Sequence, residues 1–247
     1  MNGIYQPYKY RQIGFWLIVI WVGALLSCRM ARMAVPESLT SDAAEMEVKG
    51  RQRFSFKESL SFGPFRITDV DRGWTQTSSS GNEWFNSSKA KQSYEFTLRE
   101  ANSPTWEAQC ATGVNKRELN FDDFLGGELE IEMASVYFAC SFKRRSEKGR
   151  WRLVMSQSAS EMVLNGILTD GKERIQINGS QKLQGSPIPL SDPTGYEFVH
   201  KKRIIGAVEV INKGGVWILP SIDSEIRSVL AAASSALLLY RDISDIE

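Results

Sequence analysis

Cysteine and histidine are scarce in this chain of 247 residues, which has three of the first and one of the second. That leaves too few thiolate and imidazole ligands for a zinc-type centre, so no metal is expected. An excess of charge of one sign is also missing. The formal net charge is +1, which offers no electrostatic reason for a nucleic-acid partner. Gly-x-Ser-x-Gly, His-Glu-x-x-His, Cys-x-x-Cys and a complete phosphate loop do not occur. Without them the sequence carries no plain mark of hydrolase, metalloprotease, dithiol or nucleotide chemistry. No cofactor is expected, and the chain reads as no enzyme.

What is present suits a folded body. Hydrophobic residues make up 42% and charged residues 24%, a globular rather than a disordered balance. The length allows one domain of ordinary size, or one large β domain, with a leader.

That leader is the first strong feature. Lys9 and Arg11 precede "IGFWLIVIWVGALL", 14 positions from Ile13 to Leu26 without a charge, followed by Ser27 and Cys28. A bilayer-spanning helix needs about 20 apolar residues. The run is short for a permanent span and suits a secretory signal with a basic start and an apolar middle. A core helix is the weakest reading, because Phe15 to Val22 is apolar on every side.

The end of the run, Leu25-Leu26-Ser27-Cys28, resembles the lipobox of bacterial lipoproteins. In that family the cysteine thiol receives diacylglycerol, the chain is cut before it, and the new amine is acylated with a fatty acid such as palmitate. The resemblance implies a signal peptide over 1–27 and lipidation at Cys28. Leu26 is bulkier than the residue the family favours there. Several acyl chains on one residue hold a protein to a membrane stably, where one does not. Residue 29 is Arg rather than the Asp that retains enteric lipoproteins at the inner membrane. The expected location is therefore the bacterial cell envelope, with the outer membrane favoured where there is one. An inner-membrane protein held by an uncleaved N-terminal anchor is the alternative. Cleavage removes two basic residues and no acidic one, which moves the formal charge from +1 to −1.

Residues 28–44 show no sustained period and read as a lipid-anchored tether. Beyond them, over 45–247, alternation sets in. Met46 and Val48 share one face, as do Phe54 and Phe56; Tyr94, Phe96 and Leu98; Trp106, Ala108 and Cys110; Leu129, Ile131 and Met133; Val136, Phe138, Cys140 and Phe142; and Trp151, Leu153 and Met155. Period two over so many segments predicts half-buried antiparallel strands. "SEKG", "TDGK" and "NKGG" supply turns. "TSSSGNEWFNSSKAK" reads as a long polar loop and "SPIPLSDPTG" as a proline-broken one. Near the end, Ile222, Ile226, Val229, Leu230, Ala233, Ala236, Leu237 and Tyr240 recur at helical spacing. The predicted helix covers 221–241, with Ser221 as N-cap and small residues that allow close approach to a sheet. Leu238 and Leu239 widen its apolar stripe, which asks for burial on more than one side or for a partner. The expected fold is mostly β: an antiparallel β-sandwich or partly open barrel with one C-terminal α-helix packed on it.

Few residues invite a site. Cys110 and Cys140 both fall on the apolar phase of their strands. In an exported compartment two such cysteines pair, but only if the segment between them makes its own excursion; two buried thiols are the alternative. Lys143, Arg144, Arg145, Lys148 and Arg150 gather around one hairpin. They read either as a solvated tip that discourages strand addition or as a contact for phosphate or carboxylate groups. Asp69 and Asp71 fit turn chemistry better than acid–base catalysis or calcium. His200 reads as an edge histidine.

Three functions compete. The first is a non-enzymatic envelope lipoprotein, held to the membrane through Cys28, that acts as a binding or assembly module on envelope protein, lipid or polysaccharide, with no nucleic acid. The second is a lipocalin-like carrier of a lipid or other apolar ligand. That family's Gly-x-Trp mark belongs on the first strand, and here Gly215 and Trp217 come near the last. The third is an envelope hydrolase using Asp69, Asp71 or His200.

Overall fold

The computed structural model describes residues 30–51, 59–73, 92–101, 103–114, 136–145, 149–157 and 163–240. The chain divides into two compact units, Met1–Ala31 and Arg32–Glu247. The apolar run, Ser27 and Cys28 belong to the first and lie outside the described residues. No helix of the described residues is long and apolar enough to cross a membrane.

The second unit is mostly antiparallel β with one C-terminal helix. After a short helix α1 (Glu37–Thr40) come β1 (Met46–Glu47), β2 (Leu60–Phe62), β3 (Phe65–Gly73), β4 (Gln92–Glu100), β5 (Trp106–Val114) and β6 (Val136–Arg144). Then follow β7 (Arg150–Ser156), β8 (Asn165–Thr169), β9 (Arg174–Ser180), β10 (Gly195–His200), β11 (Arg203–Glu209), β12 (Gly215–Ile218) and the helix α2 (Ser224–Leu239). From β2 to β12 each strand pairs with its sequence neighbours, and β1 pairs with β12. The first and last members of this sheet also meet. Lys49 and Ser61 exchange both backbone hydrogen bonds, at 2.9 and 3.0 Å. The sheet is thus a nearly closed barrel, which leaves little unpaired edge.

Alternation does what the sequence predicts. Tyr94, Phe96 and Leu98 on β4, Trp106, Ala108 and Cys110 on β5, Phe138, Cys140 and Phe142 on β6, and Trp151, Leu153 and Met155 on β7 are all buried in one core. Asp170 accepts from the backbone of Lys172 and Glu173 and closes the β8–β9 turn. Asn212 and Gly214, both at positive φ, close the β11–β12 turn. The stretch around Phe65 exceeds its turn-like reading. It is a nine-residue strand, bent where the register shifts between Thr68 and Asp71. The strands expected around Phe54 and Ile131, the "SEKG" turn around Lys148 and the polar loop over 77–91 lie outside the described residues.

The helix begins three residues later than predicted. Asp223, not Ser221, is the N-cap and accepts from the backbone of Glu225 and Ile226. Pro220 and Ser221 sit in the turn that leads the chain out of β12, so the first available cap comes after it. Every residue from Ser228 to Leu239 is buried. A helix on an outer face would keep one side wet. This one packs against β5, β6, β11 and β12, which lie far apart around the sheet. It therefore lies in the interior of the barrel. The stripe widened by Leu238 and Leu239 matches that burial on more than one side. A Cβ on Gly206 of β11 would lie 2.9 Å from the Trp217 carbonyl oxygen of β12 but at an ordinary 3.5 Å from Leu230, so the glycine serves the strand pairing more than the helix contact.

Polar ties fix the helix at both ends. Near its start, Trp151 Nε1 donates to Glu225 at 3.1 Å, and Arg227 donates to Glu100 at 2.8 Å. Near its end, the Tyr94 hydroxyl donates to the Ala236 carbonyl at 2.7 Å and Arg72 to the Leu239 carbonyl at 3.1 Å. The last carbonyls of a helix lack a partner within it; Arg72 on β3 supplies one for Leu239, and Tyr94 on β4 adds a second bond to Ala236, which also accepts from the Tyr240 N–H. Tyr94→Phe should cost about 1 kcal/mol, because it removes one buried hydrogen bond while keeping the ring and leaves the Ala236 carbonyl its bond from the Tyr240 N–H. Urea unfolding of the two proteins measures this.

One boundary moves. Residues 28–44 were expected to be a tether, yet the compact unit starts at Arg32. Met33, Leu39 and Ala43 are buried. Their spacing follows no single period because they fill hollows on the outside of the barrel rather than forming a strand.

Candidate functional site

The two ends of the barrel differ. Because neighbouring strands run antiparallel, the β6–β7, β8–β9 and β10–β11 connections and the start of α2 all lie at one end. The 181–194 loop and the β11–β12 turn lie at the other.

The first end holds most of the sequence-predicted site residues. Lys143 and Arg150 stand directly opposite one another across the β6–β7 ladder, and Glu107 stands opposite Lys143 on the other side. Arg145 leaves this row to pair with Glu107, Nε to Oε1 at 3.0 Å. Arg144 takes the inward phase and lies over the Trp106 ring at 4.9 Å, a cation–π contact that also shields the ring from water. Lys148 lies outside the described residues. The basic group is thus divided: Lys143 and Arg145 are exposed, Arg150 is half-buried, and Arg144 is spent on packing. Burial, followed by the nearby charge of Arg150, lowers the Arg152 guanidinium from its ordinary value, with Asp170 opposing.

His200 lies at this same end and is less of an edge residue than its sequence predicts. Its side chain is 13% exposed and meets Glu173 at 2.6 Å. Lys201 approaches the other oxygen of Glu173 at 3.3 Å. The hydrogen bond from His200, then that from Lys201, holds the Glu173 carboxyl below its ordinary range. Lys201 and Lys202 form the two-residue β10–β11 turn, both with positive φ. That is the hairpin geometry usually given to Asn-Gly. Asp69 and Asp71 are exposed, and Asp69 pairs with Arg99 at 3.3 Å and accepts from Thr68. They belong to strand β3 rather than to the turn expected from the sequence, and they serve its exposed face. Among the described residues no group of three or more His, Cys, Asp or Glu is placed to hold a metal ion.

The second end holds a site that the sequence did not reveal. Glu209, at the end of β11, is 1% exposed. Its carboxylate accepts from Arg32 Nε at 2.8 and 3.0 Å and from the Met33 backbone at 2.7 Å. Arg32 reaches on to Glu45. Burial of Glu209 outweighs the Met33 N–H and the Arg32 charge, and raises its carboxyl above the ordinary range. Burial raises Glu197 as well, with Lys182 opposing. The 181–194 loop joins the same arrangement: Met33 bridges Leu183, Ala34 donates to the Lys182 carbonyl at 3.0 Å, and Gln184 donates to the Arg32 carbonyl at 2.9 Å. The only sequence signal was one acid within the apolar "AVEVI". Alternation places that acid outside the barrel but cannot show what covers it.

Cys110 and Cys140 stand directly opposite each other on β5 and β6 and form a disulfide, with Cα atoms 4.1 Å apart. The segment between those strands, 115–135, lies outside the described residues.

Comparison of the chain with models of known families, with curated proteins and with solved structures finds no match.

Proposed function

We propose that the protein is a non-enzymatic lipoprotein of the bacterial cell envelope, acting as a binding or assembly module. The observation that carries this reading is the helix inside the barrel. With α2 buried along Ser228–Leu239, the helix takes up interior space, and partners are met with the outer surface. A carrier would hold its ligand in the space that α2 occupies. The lipobox-like Leu25-Leu26-Ser27-Cys28 supports attachment to a membrane, outer where there is one. The Cys110–Cys140 bond agrees with an oxidising compartment. The end bearing Lys143, Arg145 and Arg150 is the surface on offer to anionic groups of envelope proteins or polysaccharides.

Labelled palmitate fed to cells making the protein should enter the wild type and be absent from Cys28→Ala. The wild type should also lose the mass of residues 1–27. Equal label in both proteins would sink the reading.

A further inference from the structure

We propose that the 185–193 loop is a membrane contact, which seats the barrel on the lipid surface beside the anchor. The inference rests on the lipid-anchor reading above and adds the orientation of the body. Within the second unit, Ile188 and Leu190 are the large apolar side chains that the described residues leave exposed, at 72% and 39%. Both lie in "GSPIPLSDP", whose one charged residue is Asp192.

The backbone of this tip suits an apolar medium. Burying an unpaired N–H in lipid is costly. Pro187 and Pro189 have none. The Ile188 N–H donates to the Ser186 hydroxyl at 3.1 Å, and the Leu190 N–H donates to the Gln181 carbonyl at 3.0 Å. Four consecutive residues therefore present apolar side chains or rings with no unpaired donor.

The base of the loop is also where the anchor's chain arrives. Arg32 and Ala34 are hydrogen-bonded to Gln184 and Lys182, and Glu209 holds Arg32 from the barrel side. Cys28 is four positions before Arg32. At full extension four residues reach about 14 Å, less than half the thickness of a hydrocarbon core. A lipidated Cys28 would keep Arg32, which is bonded to the base of the loop, within that reach of the anchor. Lys182 at the loop's base is exposed and suits anionic lipid heads. The opposite end, with Arg145 and Lys201, then faces away from the membrane.

The test uses the full chain as cells process it, in vesicles of phosphatidylethanolamine and phosphatidylglycerol. Ile188→Cys carries an environment-sensitive nitrobenzoxadiazole dye. Lys172→Cys, on the β8–β9 turn at the other end, carries the same dye as control. Both positions are exposed, so the fold should tolerate them. We expect nitroxide lipids to quench the dye at 188 several-fold and leave the dye at 172 unchanged. Lipid mass on Cys28 with an unquenched dye at 188, or with equal quenching at both positions, overturns the orientation and spares the anchor. An unmodified Cys28 overturns the anchor and this inference together.

Discussion

Replacing Cys110 and Cys140 together by alanine is expected to lower stability by about 3.6 kcal/mol, as the loop-entropy relation gives for a crosslink of this span. The bond joins residues 30 positions apart. Without it the unfolded chain regains the freedom of that whole loop, which includes the 115–135 connection. The folded state loses little in exchange, because β5 and β6 stay paired through Glu107–Lys143 and Gln109–Ser141 on one side of the bond and Thr112–Phe138 on the other. Both sulfurs also leave the core, in which Cys110 and Cys140 are buried. Urea unfolding with and without a reductant measures the effect. Reduced wild type should fall to the stability of the double variant, and the variant should ignore the reductant. A wild type whose midpoint is unmoved by complete reduction would contradict this account.

Arg32→Ala is expected to cost about 3 kcal/mol near neutral pH, the lower end of the range for stripping the partner from a buried charge. The lower end applies because Arg32 is itself 38% exposed, so water can enter its place. The loss should depend on pH in a defined sense. Glu209 has its carboxyl raised by burial. A raised carboxyl gives stability that is complete below its unfolded value and lost as pH rises through its folded value. Removing Arg32 takes away two of the influences that hold that value down, so it climbs further. The variant's deficit should therefore be largest near neutral pH and shrink as Glu209 protonates on the acid side. Unfolding at about pH 7 and about pH 5 tests this, because protonation of Glu209 increases toward the lower pH. Adding Glu209→Gln to the variant should recover part of the loss at the higher pH. A deficit that is the same at both pH values would show that Arg32 acts by packing alone.

These two contacts divide sharply in how far the sequence announced them. The cysteines lie on the apolar phase of readable strands, so their candidacy needed only alternation. Arg32 and Glu209 are 177 positions apart, and neither has a pattern around it. An isolated arginine in an aperiodic segment and a lone acid in a strand are both common surface features. The same limit applies to His200 and Glu173, 27 positions apart, which meet because the β8–β9 and β10–β11 turns emerge at one end.

Local periodicity by itself determined strands β4 to β7, the turns at Asp170 and Asn212, and the presence of a late helix of small and apolar residues. Each follows from contacts with near neighbours along the chain, and the backbone geometry repeats every two or 3.6 residues. Only the tertiary structure decided that the sheet closes through Lys49 and Ser61, that the helix goes inside it, and that the segment after Arg32 lies against its flank. Those outcomes depend on which surfaces exclude water from one another across the whole chain, and a residue's own neighbours in sequence carry no record of that.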